Sequence, residues 1–563
     1  MEFLNNLLKN CADLIWATPE FFPIMVVILL FAGFLMTIKT RFIQIRGFFH
    51  AWKAMFGFYD NPDEKGEISS FQAISAALSA TVGIGNIAGV ATAIHYGGPG
   101  ALFWMWITAI LGMSLKFAEI TLAIKYRTID KNGEVAGGPM YYIEKGLGKK
   151  WKWIAVVFGC AVMLSALATG NTIQSFTVAD QFRSAFQIPT WFTGIITASI
   201  VGIVVIGGIK RIGKVASILA PGMCILYIVS GLIILLLNIT KLPSTFALIF
   251  TSAFTKTAGV GGFAGSGFLF MMMWGIKRGL FSNEAGQGSA PIVFAAVKSE
   301  EPVRDGILSM LGPFIDTLMV CTITGLVIVT TGVWNQKDDV TLLINSQADI
   351  SIITAKSKIV ENSEVKGEIV YSKKLNFIDG IATNIKILRN QSTVDDAIIL
   401  LDGNPYSGKL QIDEDGNIIN DKDLDFQLTG KMMKNGSPLT TWAFKRGLKP
   451  IAGDYGGLLI TISVFFFAIS TTISWSYYGN RGAYYLMGKK VGEYYKWIFV
   501  AMVFFGAIVS LETVWAFGDV AIGFMAIPNL VALILLSNNV KKDTIEYTSR
   551  KHLTYKEKRS LRV

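Results

Sequence analysis

The amino-acid sequence predicts an all-α polytopic membrane protein that carries one small β-rich insertion. Of the 563 residues, 52% are hydrophobic and 16% are charged, whereas soluble globular proteins average about 25% charged residues. The chain also contains repeated apolar runs of about 20 residues, the length that crosses a bilayer. Residues 335–450 lack such runs and show short alternating segments instead, which is typical of β-strands.

We predict about eleven membrane spans, each close to the length that a bilayer requires. In chain order, spans one to eleven are 20–38, 70–96, 100–126, 152–176, 190–208, 214–238, 262–296 (interrupted), 303–332, 453–478, 493–512 and 516–537. The first residues do not resemble a cleavable signal peptide, because Met1–Leu14 contains Glu2, Lys9 and Asp13 in place of a compact apolar stretch. We therefore expect span one to stay in the membrane.

Lysine and arginine predict the orientation. They are concentrated in loops 39–69, 125–152, 209–214 and 479–492 and in the tail, whereas the alternate loops are poor in them. The positive-inside rule then places the N-terminus outside and the C-terminus in the cytoplasm of a multi-pass protein of the bacterial inner (cell) membrane. The net charge of +11 is thus a topology signal. A basic tail below a membrane meets anionic lipid, and no nucleic-acid partner is predicted.

We divide the chain into four parts: a membrane core of spans one to eight (1–334), a β-rich insertion (335–450), a membrane core of spans nine to eleven (451–540) and a basic tail (541–563). The insertion has 15 basic and 16 acidic residues and falls on the extracytoplasmic side. Turn dipeptides between its alternating runs indicate hairpins: Asp379-Gly380, Asp402-Gly403, Asp415-Gly416 and Asn435-Gly436. A disordered loop is less favoured, because β-branched residues are frequent.

Span two contains an unusual small-residue stretch, Ser79–Gly89, in its middle. Glycine weakens a helix and frees backbone groups that lipid cannot satisfy. A break at mid-depth is tolerated where it lines a cavity, as in secondary transporters. Gly83-x-Gly85-x-x-Ala88 also fits a dinucleotide fingerprint, but its apolar flanks and the lack of an acidic residue about 20 positions later argue against that interpretation.

Span seven is the second interrupted segment. Its apolar first half is followed by a charged, glycine-rich run from Trp274 to Pro291, which indicates a functional discontinuity. The alternative is that Lys277 and Arg278 mark an ordinary cytoplasmic helix end. Because the two interruptions lie five spans apart, and ten spans remain when the first is set aside, we predict an inverted repeat of five plus five with a site at the midplane.

Four long motifs identify a family resemblance: Thr81–Gly89 with Gly97–Gly100, Ala136–Tyr141, Lys277–Pro291 and Trp475–Gly479. They resemble the alanine or glycine:cation symporter family (AGCS), over about 1–334 and 437–540. The resemblance implies a LeuT-type fold with one extra N-terminal helix, sodium coupling, and alanine or glycine as the substrate. The insertion departs from compact family members, which have only a short loop there.

The predicted substrate-binding residues are Gly83, Ile84, Gly85, Asn171, Gln174, Met273, Trp274, Gly275 and Trp475. Backbone amides at Ile84 and Gly85, where the second half of span two begins, suit an amino-acid carboxylate. The resemblance makes Gly83–Gly85 a wall of the substrate site, and carbonyls from an unwound stretch at 273–275 would accept the ammonium. Asn171 and Gln174 equally fit hydrogen bonds between helices, and the resemblance favours a pocket role. Trp475 would cap a small pocket.

The predicted sodium ligands are Ser79, Val82, Ala468, Thr471 and Thr472, and a second sodium site would use Asn86. Sodium needs five or six hard oxygens. Ala468, Thr471 and Thr472 share one helix face at i, i+3 and i+4 and resemble a LeuT-type cation site, completed by carbonyls from the break in span two. The alternative is that the two hydroxyls bond back to their own helix.

Three intramembrane charges remain. Lys116 and Glu119 in span three can pair at i, i+3, and Asp316 in span eight is assigned to helix packing rather than to an ion or proton relay. The sequence carries no Walker A pattern, so ATP-driven transport is not supported. We predict a transporter without enzymatic activity or organic cofactor: a sodium-coupled symporter that imports alanine or glycine by alternating access.

Three other functions stay open: an amino-acid sensor or receptor built on a transporter-like core, a channel, and a proton-coupled amino-acid transporter. The last is disfavoured by the absence of a carboxylate from the motifs that line the predicted site. The sequence does not decide the preferred substrate or the oligomeric state.

Overall fold

A computed structural model describes residues 11, 14–16, 18–19, 23–129, 135–255, 268–344, 350–354, 374–382, 385–389, 392–412, 418–419, 426–508 and 511–560. Most of these residues are helical. Seven helices are long and apolar enough to cross a membrane, or eight if the two bent halves of span two are counted as one span. Two shorter apolar helices, Ile24–Lys39 and Thr190–Val205, coincide with predicted spans one and five. The protein is therefore a multi-pass helical membrane protein, while the count of eleven and the inverted repeat stay predictions.

The remaining spans follow the predicted order. Helices cover Ala101–Lys125 in span three, Lys152–Leu167 and Ile173–Phe186 in span four, Gly208–Leu237 in span six, Pro302–Ser309, Leu311–Pro313 and Thr322–Thr331 in span eight, Leu458–Met487 in span nine, Lys489–Ile508 in span ten, and Leu511–Thr548 in span eleven. Shorter helices are Ile43–Arg46, Phe48–Met55, Pro139–Gly146, Leu242–Ser252, Gly436–Ala452 and Tyr555–Ser560.

Span two breaks where the sequence predicts. Its first helix, Ser70–Thr81, begins with a capping box in which Ser69 and Gln72 exchange side-chain and backbone hydrogen bonds. The helix ends at Val82, and a π-helix over Gly85–Gly89 leads into Val90–Gly97. The two halves are bent by 51°. The glycines at 83, 85 and 89 allow this irregular backbone, so the prediction of a break is confirmed.

The break in span seven lies inside the predicted run Trp274–Pro291, but it begins only at Glu284. The helix Phe268–Asn283 runs without interruption through Met273, Trp274 and Gly275, so the prediction that these three residues are unwound is wrong. A Cβ atom on Gly275 would lie 2.5 Å from the carbonyl oxygen of Ala101, which shows that this glycine allows close packing against span three. Predicted residues 262–267 lie outside the described residues.

The true break of span seven is Glu284–Ser289, before the short helix Ala290–Phe294. Glu284, Gly286 and Gly288 have φ values of 55°, 85° and 81°, in the left-handed region that a continuing helix does not use. Two π-helices, Ala168–Thr172 in span four and Phe314–Cys321 in span eight, are further irregular segments that the sequence interpretation missed. π-helical turns often occur at functional sites.

The segment between spans eight and nine contains antiparallel strands, while its place outside the membrane stays a prediction. They are β3 (Asp338–Leu343), β4 (Ile350–Thr354), β5 (Lys374–Phe377), β6 (Ile385–Arg389), β7 (Ser392–Leu401), β8 (Asn404–Pro405), β9 (Gly408–Ile412), β10 (Ile418–Ile419) and β11 (Phe426–Met432); β1 (Thr128–Ile129) and β2 (Val135–Ala136) form a separate pair between spans three and four. One sheet has the order β3-β11-β7-β6-β4 and a smaller one β10-β9-β5. The insertion has an apolar core of its own, which includes Phe377, Ile399 and Leu428.

The last part of the predicted β-rich insertion is helical. Asn435-Gly436 forms no hairpin; instead the Asn435 side chain accepts the Gly436 N–H and begins the helix Gly436–Ala452. Thr440 on this helix donates to the carbonyl oxygen of Ile87 at 2.9 Å, inside the π-helix of span two. The helix thus satisfies a backbone group at the break of span two. Asp415-Gly416 lies outside the described residues.

Candidate functional site

The break of span two contacts span nine directly. Thr471 Oγ1 donates to the carbonyl oxygen of Ser79 at 3.1 Å, and both residues are buried. A Cβ atom on Gly83 would lie 2.5 Å from Thr471 Oγ1, so only glycine fits there without displacement of the threonine. Ser79 Oγ also bonds to the carbonyl oxygen of Ser470 at 2.9 Å. The structure therefore brings the predicted site residues Ser79, Gly83 and Thr471 together.

The other predicted sodium ligands lie next to this contact. Val82 is buried at the end of the first helix of span two, where its N–H bonds to the carbonyl oxygen of Leu78. Thr472 Oγ1 donates to the carbonyl oxygen of Ala468 at 2.8 Å, which is the bond back to its own helix that the sequence left open. A sodium ion would have to replace that bond to use both oxygens.

Asn86, predicted as a second sodium ligand, lies in a buried cluster of polar side chains. Its Nδ2 donates to Asp316 Oδ1 at 2.6 Å and to Ser282 Oγ at 3.1 Å, and its Oδ1 accepts the N–H of Gly83 at 2.8 Å. Asp316 Oδ2 accepts from Ser282 and Thr317, each at 2.7 Å. Asp316 thus accepts hydrogen bonds from other spans, as expected for a residue that packs helices together. Its hydrogen bond with Asn86 of span two could not be predicted from the sequence.

The two amides of span four have different partners. Asn171 Nδ2 donates to the carbonyl oxygen of Phe499 in span ten at 2.7 Å, which is a bond between helices. Gln174 Nε2 bonds within span four, to the carbonyl oxygen of Thr169. Gln174 Oε1 lies 3.5 Å from the position of a Cβ on Gly83 and has no hydrogen-bond partner among the described residues. Gln174 therefore faces the break of span two.

Trp475 is buried beside the break of span seven. Its Nε1 donates to Glu284 Oε1 at 2.9 Å, and its indole covers Gly170, where any side chain would collide with it. The hydroxyl of Ser289 bonds to the other oxygen of Glu284. The prediction that no carboxylate lies in the motifs of the site is therefore wrong. Glu284 stands in the Lys277–Pro291 motif, and an acidic residue in a membrane span is the signal that could have identified it.

Residues 273–275 lie apart from this centre. Trp274 stacks on Tyr96 with ring centroids 4.5 Å apart, and Gly275 packs on span three. Their carbonyls belong to a continuous helix, so an exposed ammonium acceptor is not formed there. Instead, Phe281 and Ser282 approach the break of span two: a Cβ on Gly85 would lie 3.1 Å from the Phe281 ring and 3.4 Å from Ser282 Cα.

Span three supports the break of span seven. Glu119 Oε1 accepts the N–H of Gly288 at 3.0 Å and the Nδ2 of Asn529 at 2.6 Å, and Asn529 Nδ2 also donates to the carbonyl oxygen of Gly286. Lys116 Nζ has no hydrogen-bond partner among the described residues. The predicted bond between Lys116 and Glu119 is therefore not formed, because Glu119 is engaged by the backbone and by Asn529.

A cavity of about 230 Å³ opens at the end of the protein that the charge pattern predicts to be cytoplasmic. Tyr477, Asn480 and Arg481 of span nine contribute to its wall. Arg481 lies 3.8 Å from Glu67, which precedes span two. The two spans that meet at Ser79 and Thr471 are thus also joined by an ion pair at this end.

These features define a class: a multi-pass membrane protein in which two discontinuous spans meet a continuous helix around buried polar groups, the architecture of secondary transporters. Residues 1–360 and 424–561 match the Sodium:alanine symporter family. The chain belongs to this family, which confirms the resemblance, and it is a transporter rather than an enzyme.

The chain is similar to two relatives and to one solved structure. The sodium/alanine symporter AgcS of Methanococcus maripaludis is 38% identical over 546 residues, which cover 97% of both chains. The putative sodium/proton-dependent alanine carrier protein YrbD of Bacillus subtilis is 32% identical over 527 residues, 93% of this chain and 88% of YrbD. A crystal structure of MhsT in complex with L-phenylalanine superposes over 85% of this chain and 99% of MhsT, with a TM-score of 0.49 and 11% identity.

Proposed function

We propose that the protein imports a small neutral amino acid, alanine or glycine, together with sodium by alternating access. The contact between Thr471 and the Ser79 carbonyl carries this proposal, because it puts a hydroxyl and a freed carbonyl of two different spans in one place. The names of the relatives agree with alanine and with sodium, and one of them adds protons.

We assign the substrate carboxylate to the backbone amides of Ile84 and Gly85. The neighbouring amide of Gly83 is engaged by Asn86, which leaves the next two as donors at the start of the second half-helix. The ring of Phe281 lies against Gly85, so the space for a substrate side chain is small. Gln174 Oε1, which faces the same break, is our candidate acceptor for the ammonium in place of residues 273–275.

We assign the first sodium site to oxygens of Ser79, Val82, Ala468, Thr471 and Thr472. A second site would lie at Asn86, where the Asp316 carboxylate and the Ser282 hydroxyl supply the hard oxygens that sodium prefers. We further propose that the N-terminus lies outside and that the tail and the 230 Å³ cavity face the cytoplasm.

The test is uptake of labelled alanine or glycine into proteoliposomes with an inward sodium gradient, and with the gradient replaced by choline. We expect uptake that depends on the gradient and competition between the two amino acids. A matched pair of variants locates the ion: Thr471→Val should weaken sodium activation, whereas Thr197→Val, which removes a buried threonine bonded to its own helix in span five, should not. Equal uptake with and without the gradient would exclude sodium coupling.

A further inference from the structure

The motif Ala136–Tyr141 has no role in the proposed transport site, but it packs on the second half of span seven. A Cβ atom on Gly137 would lie 2.5 Å from Ala295 Cβ, and one on Gly138 would lie 2.8 Å from Ile292 Cγ1. Gly138 also has a φ of 111°, a value that favours glycine. The two glycines thus allow the loop between spans three and four to contact the short helix of span seven directly.

Arg127, at the start of the same loop, binds the carbonyl groups that follow this short helix. Its Nη1 donates to the carbonyl oxygens of Ala295 at 2.8 Å and Val297 at 2.7 Å. Its Nη2 donates to the carbonyl oxygen of Ser299. Basic side chains often satisfy carbonyl groups at the end of a helix in this way.

A further hydrogen bond of Arg127 goes to a different span. Its Nη2 also donates to the carbonyl oxygen of Lys65 at 3.1 Å, shortly before Ser69 caps the first helix of span two. The guanidinium presents five donors in a fixed planar arrangement, so one side chain can hold carbonyl groups of two chain segments. Arg127 therefore joins the ends of spans two and seven that the charge pattern predicts to be cytoplasmic.

The backbone joins the same two segments. The N–H of Glu67 donates to the carbonyl oxygen of Ala296 at 2.8 Å, and the N–H of Lys298 donates to the carbonyl oxygen of Ile68 at 2.8 Å. Ile68 and Val297 form a parallel bridge. One bridge supplies few hydrogen bonds, and the guanidinium adds charge-assisted ones, which are stronger than those between neutral groups.

The joined segments lead to both breaks. The helix Ser70–Thr81 of span two carries the Ser79 carbonyl that we assign to sodium, and the substrate would lie between Gly85 and Phe281 of span seven. Release by alternating access requires these parts to move. If the end of span two moved alone, it would open the sodium site without span seven. Sodium would then cross the membrane without the amino acid.

We propose that Arg127 is a positioning residue that makes the cytoplasmic ends of spans two and seven move as one unit, so that sodium and the amino acid are released together. This inference rests on the proposed sodium-coupled transport. The guanidinium excludes the state in which only span two has opened, because that state breaks its bond to Lys65 or its bonds to the carbonyl groups after span seven.

The experiment measures uptake of radioactive sodium and of labelled alanine in the same proteoliposomes, with and without alanine outside. The unmodified protein should take up sodium in a fixed ratio to alanine. In Arg127→Gln, sodium uptake without alanine should rise about tenfold, since loss of hydrogen bonds to a charged group shifts an equilibrium by at least about that factor. A variant that is only less stable would lose active protein and keep the ratio of sodium to alanine.

Two further arginine variants separate charge from bridging. Arg127→Lys keeps the positive charge but not the planar set of donors, so it should also pass sodium without alanine. Normal coupling in that variant would overturn the bridging role. Arg211→Gln is the matched control, because Arg211 Nη1 donates to the carbonyl oxygen of Ile203 at 2.7 Å and joins only spans five and six. Its ratio of sodium to alanine should equal that of the unmodified protein.

A distance measurement tests the common movement even if Arg127→Gln does not fold. Spin labels are placed at the exposed residues Asp63 and Glu300, one on each joined segment, with Cys11 and Cys160, which are not buried, replaced by alanine. In the otherwise unmodified protein, the distance between the labels should be the same with and without sodium. A distance that changes with sodium would overturn the proposal. In folded Arg127→Gln the distance distribution should broaden.

The outcomes separate the two proposals. Alanine uptake that ignores sodium overturns the proposed function. Sodium-dependent uptake in which Arg127→Gln keeps the unmodified ratio of sodium to alanine overturns the role of Arg127 alone. Sodium uptake without alanine in Arg127→Gln, with normal coupling in Arg211→Gln, supports it.

Discussion

Gly83→Ala tests whether the break of span two builds the ion site. The added methyl group would lie 2.5 Å from Thr471 Oγ1, about 0.9 Å closer than an ordinary contact. Thr471 must move, and its 3.1 Å hydrogen bond to the Ser79 carbonyl is then lost. Overpacking costs about 1–3 kcal/mol and the lost bond about 1 kcal/mol. Because each 1.4 kcal/mol is a factor of ten, we expect at least about tenfold weaker sodium activation.

The assay is sodium-dependent alanine uptake at saturating alanine, with the amount of folded protein in the vesicles measured separately. Gly222→Ala is the matched control: this glycine lies within the helix Gly208–Leu237, and an added Cβ would meet no atom within 4 Å. It should transport normally. If folded Gly83→Ala shows unchanged sodium activation, Thr471 and Ser79 do not bind the ion and the assignment is refuted.

Three further predictions concern stability and the parts outside the site. Arg304→Ala should lower the free energy of unfolding by about 3 kcal/mol, seen as a lower Tm, because it leaves Glu64, paired at 3.0 Å and 12% exposed, without its cation. Replacement of residues 338–432 by a short linker should leave transport intact. Asp338 and Met432 are paired neighbours at the ends of β3 and β11, so a short linker can join the chain there. Loss of transport in a folded variant would favour the sensor function. Burial and, to a smaller extent, nearby positive groups lower the pKa of His50 to about 4. The hydrogen bond from His50 to Tyr547, which anchors the tail, should therefore weaken as the pH falls from about 6.5 to 4 and stay constant above that range. A spin label on the tail should report greater mobility at low pH, and equal mobility at both ends of the range would contradict this reasoning.

The two breaks show how far glycine content predicts local structure. In span two, glycines and small hydroxyl residues coincide with the irregular backbone, and the prediction is correct to within a few residues. In span seven, Gly275 stands in a continuous helix and serves close packing, whereas Gly286 and Gly288 adopt positive φ. A single sequence does not distinguish these two uses of glycine, because the neighbour that demands close approach, Ala101, is far away in the chain.

The contacts of the site were less predictable than its residue types. Polar residues in apolar spans could be recognised as functional candidates from their cost in a membrane. Their partners depend on the packing of distant spans: Asn86 bonds to Asp316, 230 positions later, and Trp475 bonds to Glu284, 191 positions earlier. The π-helices of spans four and eight have no marker comparable to a glycine cluster. The types of residue in the site could therefore be predicted from the sequence, whereas their hydrogen-bond partners could not.

Span nine gives these pairings a mechanical consequence. Thr471 contacts the break of span two, and Trp475, one helical turn later on the same face, contacts the break of span seven. The break of span two also contacts span seven directly, just before the break of span seven, through the bond from Asn86 to Ser282 at 3.1 Å. A ligand shifts a conformational equilibrium only if it binds the two states differently. A sodium ion at Thr471 would act on the turn of span nine that also holds Trp475 against Glu284, so its binding would change the free energy of a movement that involves both breaks.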